Sequence, residues 1–263
     1  MNRLAPIGIF DSGVGGTSIW KEIHRLLPYE RTMYLADSRN APYGERKREE
    51  IIQLSKKNTE LLLDAGCKLI VVACNTATTN AISELRATYD IPFIGIEPAI
   101  KPAALQTHTR SIGILATKGT LSSDLFHKTS ELFANGIRIT EVIGKGLVPL
   151  IEQGDLDSSE LRELLQNYLQ PMLDAKVDHI VLGCSHYPYL IPLMQELLPK
   201  EIKIIDSGAA VARQTKAVLE KNELLNLEDI SATHQFYTNT SASTLQKLLQ
   251  EFNESISIEV REF

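Results

Sequence analysis

The sequence predicts an α/β protein of two pseudo-symmetric domains, each with a mostly parallel central sheet flanked by helices and with the active site in the cleft between them. Three observations predict it. Near-continuous aliphatic runs such as "PIGIF" and "LIVVA" alternate with helical patterns, the pattern left when helices bury both faces of a sheet. The stretch "DAGCKLIVVACN" (64–75) lines up with "DAKVDHIVLGCS" (174–185) at a constant offset of 110 residues, which puts Cys74 and Cys184 in equivalent places. "PIGIFDS" matches "SIGILAT" at an offset of 105, and "FIGIEPA" is echoed by "KIIDSGA". Strand-turn-helix units look alike in any α/β protein, but three matches in order favour a duplication.

The elements follow in sequence. After "PIGIF", residues 17–27 place Ile19, Trp20, Ile23, Leu26 and Leu27 at helical spacing, and "TMYLA", a long helix and "LIVVA" complete the first set of units. In the second half, Asp157 with Glu160 reads as a capping box. Leu161, Leu164, Leu165, Tyr168, Leu169 and Met172 then share one helical face, and Pro171 is expected to disturb that helix near its end. From residue 209 a helix, "THQFYT", another helix and "SISIEV" are too little for a separate domain and are expected to return to the first half. The expected domains are 1–97 plus 209–263, and 98–208. Open α/β sheets bind ligands at the carboxyl ends of their strands, so the interface between the halves is the natural site.

The charge pattern excludes several function classes. A net charge of −6, a pI near 5.6 and scattered lysines and arginines give no basic stripe, so no nucleic-acid partner is expected. No apolar run is long enough for a membrane span, and "MNRLAPIGIFDSG" does not read as a signal peptide, so a cytoplasmic protein with reduced thiols is expected. The three cysteines lack the spacing of a zinc knuckle, and no metal site is expected.

Cys74 and Cys184 each end a buried strand before a loop or helix start, where free N–H groups and the helix dipole favour an anion and should lower a thiol pKa. Two such thiols at equivalent points suit one base and one acid on opposite faces of a carbon, which inverts that centre without a cofactor. Nucleophilic acyl transfer, with His186 activating a cysteine, is the alternative, although one thiol would then be redundant. Cys67, on the way into its strand, reads as a space-filler. "FDSGVGGTS" lacks the third glycine of a dinucleotide loop and the Gly-Lys-Thr ending of a phosphate loop, but offers main-chain N–H groups to a carboxylate. In it, Asp11 could exchange a proton with a neighbouring thiol or brace a turn. "ADSRNAPYGER" holds a Pro42-Tyr43-Gly44 turn, and "LVPLIEQGD" carries Glu152 among apolar residues.

These segments together resemble the cofactor-independent glutamate racemases of bacteria. The resemblance covers essentially the whole chain, through Asp11-Ser12-Gly13-Val14-Gly15-Gly16, Ala36-Asp37-Ser38, Pro42-Tyr43-Gly44, Cys74-Asn75-Thr76-Ala77-Thr78 and Gly183-Cys184-Ser185-His186-Tyr187-Pro188. Ser185 departs from the family's usual threonine but keeps its hydroxyl. The resemblance implies interconversion of L- and D-glutamate with no cofactor, supplying D-glutamate for peptidoglycan. It implies that Cys184 takes the proton from L-glutamate and Cys74 from D-glutamate, with Asp11 assisting Cys74 and His186 with Glu152 assisting Cys184. It further implies that Asp11, Ser12, Tyr43, Gly44, Asn75, Thr76, Ser185 and His186 hold the substrate. A homodimer is implied, and some relatives require a peptidoglycan precursor as activator. The rival readings are a racemase of aspartate, a binding or regulatory relative without catalysis, and a pyridoxal phosphate racemase, for which no motif marks a lysine.

Overall fold

Every strand pair is parallel among the residues that the computed structural model describes, which are 2–228, 232–253 and 255–263. The strands in chain order are β1 (Ile7–Asp11), β2 (Thr32–Ala36), β3 (Leu69–Val72), β4 (Phe93–Gly95), β5 (Ser111–Ala116), β6 (Arg138–Ile143), β7 (His179–Gly183), β8 (Lys203–Ile205), β9 (His234–Thr238) and β10 (Ile256–Val260). They form one sheet of order β10-β9-β2-β1-β3-β4 and another of order β6-β5-β7-β8. The four strands β2-β1-β3-β4 therefore repeat as β6-β5-β7-β8. Strands β9 and β10 extend the first sheet beyond β2, in register His234 opposite Thr32 and Ile256 opposite His234.

Strand alternation divides the apolar core between sheet faces. On the first sheet, Ile7, Ile9, Leu69 and Val71 meet Trp20, Ile23 and Leu219 on one side, while Phe10, Ile70 and Val72 meet Ile51, Leu62 and Leu85 on the other. On the second, Leu115, Ile180 and Leu182 pack on Leu161, Leu165, Leu169 and Met172, and Ile112, Ile114 and Val181 on Ile100 and Phe126. Each such side chain contributes about 1.5–3 kcal/mol through burial, which is why the aliphatic strands fold inward. The duplication reaches this packing. Gly8 and Gly113, equivalent in the repeat, each let a helix side chain lie against the strand: a Cβ would stand 3.1 Å from Leu62 Cδ1 at one and 2.6 Å from Met172 Sδ at the other.

Three local expectations differ from the structure. The helix Ser159–Asp174 is capped by Ser158, whose hydroxyl accepts the Leu161 N–H at 3.2 Å, and not by Asp157. The helix also runs through Pro171 to Asp174, because Leu169 and Met172 on either side are fully buried and hold the last turn against β5 and β7. Leu26 is exposed rather than part of the apolar face of the helix Thr17–Leu26. No helix among the described residues is long and apolar enough to cross a membrane.

Candidate active site

Strand ends bring the chemistry together. Cys74 follows β3 and caps the helix Asn75–Thr88, its sulphur accepting the Ala77 N–H at 3.4 Å, while its thiol reaches Ser12 Oγ at 3.7 Å. Cys184 follows β7, with its sulphur 3.7 Å from His186 Nδ1. Both cysteines are buried, and both line one narrow cavity. Ser12, Tyr43, Gly44, Asn75, Thr76, Ser185 and His186 line it too, joined by Pro42, Thr117 and Val148. A larger hollow of about 770 Å³ beside it shares Pro42, Gly44, Thr117 and Val148 and adds Glu45, Lys118 and Lys145.

Two of the expected residues stand behind the cavity wall. Asp11, at the end of β1, accepts the Gly13 and Gly16 N–H groups on Oδ2 at 3.3 and 2.9 Å and the Ser185 hydroxyl on Oδ1 at 3.1 Å. It thus braces its own loop and ties the two halves together. Burial pushes its carboxyl pKa up, and Glu152 adds to the rise against the pull of His186 and these hydrogen bonds. Glu152 ends the short helix Leu147–Glu152 and meets His186 Nε2 at 2.5 Å. Its Oε1 also accepts the Val14 N–H at 2.7 Å, so the carboxylate served by the glycine loop is the protein's own.

The close approach of these groups explains two glycines. A Cβ on Gly13 would stand 1.9 Å from Glu152 Oε1, and one on Gly15 would stand 2.2 Å from His186 Nδ1. A side chain at either place would displace the carboxylate or the ring.

The electrostatics differ at the two thiols. Burial raises the Cys74 pKa, the charge of Asp11 adds to it, and the Ala77 N–H and Ser12 offset only part. The lowered thiol expected at this strand end is therefore not found: desolvation outweighs the helix terminus. At the other thiol, burial works against protonation of His186. Cys184 and the Glu152 carboxylate outweigh it, and the ring is held well above the usual histidine range. An imidazolium there presents an N–H to the Cys184 sulphur. Cys67 is pushed up to about 12 by burial and fills space beneath Gly8.

The polar lining is partly committed and partly free. The Tyr43 hydroxyl donates to Asp37 Oδ2 at 2.6 Å and accepts from Asn58 Nδ2 at 3.1 Å, so it is turned away from any ligand, leaving main-chain groups of the Tyr43–Glu45 turn. Asn75, by contrast, is buried with neither its amide nitrogen nor its oxygen hydrogen-bonded. An unpaired buried polar group costs on the order of 1–3 kcal/mol, which a polar ligand would relieve. Thr117 lines the cavity although no motif marks it; its hydroxyl meets Thr76 of the other half at 2.8 Å and Thr120 of its own half at 3.0 Å. The repeat contained the signal, since the 105-residue offset aligns Thr117 with Ser12. Among the described residues, no three His, Cys, Asp or Glu side chains converge as a metal-ligand set.

The profile of Asp/Glu/hydantoin racemases matches residues 7–215. The chain belongs to this racemase family. A glutamate racemase of Pseudomonas putida (strain F1) is 45% identical over 248 residues, covering 94% of this chain and 93% of the relative. Among solved structures, a glutamate racemase isoform of Bacillus anthracis superimposes with a TM-score of 0.87 at 28% identity, over 100% of this chain and 99% of that one. The Escherichia coli glutamate racemase, solved with L-glutamate and the activator UDP-MurNAc-Ala, gives 0.86 at 33% identity, over 97% and 98%. The superpositions extend over both parallel sheets with their flanking helices, and in this chain the cysteine following a strand of each sheet lines the same cavity.

Proposed function

We propose that this racemase interconverts L- and D-glutamate by two-base proton transfer without a cofactor. The observation that carries the reading is the pair of buried thiols, one following a strand of each sheet, on a single narrow cavity. In the L to D direction, the Cys184 sulphur, as thiolate, takes the Cα proton, and the Cα–H electron pair remains as a carbanion adjoining the carboxylate. Cys74 then delivers its thiol proton to the opposite face, leaving D-glutamate, a thiol at Cys184 and a thiolate at Cys74. The reverse direction exchanges the roles.

His186, backed by Glu152, assists Cys184; Asp11 assists Cys74 and acts through the loop and Ser185 rather than by touching substrate. Ser12, Asn75, Thr76 and Ser185 offer hydroxyl and amide groups to the substrate, Tyr43 and Gly44 offer main-chain groups, and His186 closes the set. The free Asn75 amide supports this, because its nitrogen suits a carboxylate and its oxygen an ammonium group. Preorganised donors matter here because the carbanion develops charge in a site with little water. Residues 1–97 plus 209–263 and residues 98–208 are the two bodies that open to admit substrate. A cytoplasmic homodimer that supplies D-glutamate for peptidoglycan, with a peptidoglycan precursor as activator, completes the proposal.

The test is a circular-dichroism time course on L-glutamate and separately on L-aspartate, with no added cofactor. Decay of the glutamate signal to zero with aspartate unchanged is the expected result. A flat glutamate trace, with and without the precursor, would overturn it.

A further inference from the structure

The loop after β2 supplies Pro42, Tyr43 and Gly44 to the cavity, but Ser38, at the start of the turn Ser38–Asn40, has a different partner. Its hydroxyl donates to Glu152 Oε2 at 2.8 Å, while Oε1 receives the Val14 N–H at 2.7 Å and His186 Nε2 at 2.5 Å. The main chain of the same helix end is held from the same side. Thr244 Oγ1 donates to the Glu152 carbonyl at 2.8 Å, and Lys247 Nζ to the Gly154 carbonyl at 2.7 Å. Glu152 lies in the chain between β6 and β7, yet Val14, Ser38, Thr244 and Lys247 all lie in segments that build the six-stranded sheet.

We propose that Ser38 is a positioning residue: its hydroxyl fixes the Glu152 carboxylate against His186, so that the acid–base group serving Cys184 is completed by the opposite half of the molecule. This rests on the two-thiol reading above. Without the hydroxyl, Oε2 of a mostly buried carboxylate loses its donor, and the anion either turns away from the ring or binds a proton itself. Both weaken the hold on the His186 proton. The ring is otherwise faced by Cys184, Ser185 and the buried Asp11, with the Gly15 backbone against it. None of these can replace the lost carboxylate contact. Opening the cleft would separate Glu152 from Ser38 and Val14 in the same way, so proton delivery at Cys184 is coupled to closure.

The experiment compares the full-length wild type with Ser38→Ala and Ser38→Thr, measuring kcat and KM for both enantiomers from neutral to alkaline pH. Ser38→Ala is expected to lower kcat about tenfold, the rate equivalent of one hydrogen bond to a charged group, with KM within about twofold. The alkaline limb of kcat should move down by about one pH unit, and the primary isotope effect with 2-deuterated L-glutamate should rise. Ser38→Thr, which keeps the hydroxyl, should restore the limb. A wild-type limb in Ser38→Ala, or a fall in kcat with the limb unmoved, would overturn the proposal. Should Ser38→Ala lose its cooperative thermal transition, Ser38→Cys keeps the volume but donates weakly and must give an intermediate limb; an unmoved limb overturns the proposal there too. If the wild type itself leaves glutamate unchanged, the functional reading fails; if only the Ser38 variants behave as wild type, the positioning role fails alone.

Discussion

At the scale of single residues, the site depends on side chains whose neighbours are set by packing. Cys74→Ser and Cys184→Ser should each abolish racemisation, because a serine hydroxyl is far too weak an acid, while thermal unfolding should hold because the volume change is small. A polarimetric assay and a melting curve check both. Gly15→Ala places a methyl group where His186 Nδ1 lies 2.2 Å away, and should lower kcat by more than tenfold by displacing the ring; normal turnover would show that the ring can yield. The His186 proton sets a pH dependence of known sign. Its folded-state pKa is raised, so the stabilisation is full below the unfolded value near 6.5 and is lost as pH climbs through the higher folded value. Glu152→Gln removes one cause of the rise, and the alkaline limb of activity should move to lower pH. The sequence allowed the two thiols and the histidine to be picked out, since the repeat aligns the cysteines. It did not reveal that Asp11 and Glu152 stand behind the wall, nor that Ser38 reaches Glu152. Those facts depend on how two distant segments meet, and no local spacing encodes that.

At the scale of elements, the parallel character of the sheets was legible because strands buried on both faces are aliphatic throughout, and the repeat supplied β1, β3 and β4 with counterparts in β5, β7 and β8; the strand order was not, because it depends on how distant segments pair. Helix ends were less legible. Asp157 and Ser158 are adjacent and both can cap, and the choice falls on Ser158 once Leu161 must face the core. Ser158→Ala should therefore cost about 1 kcal/mol, or a few degrees of melting temperature, whereas Asp157→Ala should be near neutral. Equal effects in a thermal scan would restore the capping box. Pro171 was read as a disturbance for a sound local reason, the missing N–H and the crowded preceding carbonyl. Burial of Met172 and Leu169 prevailed, an outcome that belongs to tertiary packing rather than to the sequence of the helix.

At the scale of the whole molecule, one buried ion pair joins distant segments. Lys68 and Glu30 meet at 2.6 Å, both nearly inaccessible, with Lys68 also donating to the Arg3 carbonyl and Glu30 accepting the Asn226 N–H at 2.8 Å. Lys68→Met leaves Glu30 charged and unpaired, and should cost about 3–5 kcal/mol in a urea titration; a loss within error would mean that Glu30 simply takes up a proton. The duplicated sheets carry a different consequence. They place two like thiols at equivalent points, but the helpers are unlike: a carboxylate braced by a loop on one side, a histidine with a carboxylate held from the opposite half on the other. The two enantiomers of an amino acid have equal free energies in water, so their equilibrium constant is unity and kcat/KM must be the same in both directions, whatever the helpers do. The asymmetry of the two assistants can therefore surface only as a trade between turnover and saturation, with the direction that turns over faster also needing proportionately more substrate to fill the site.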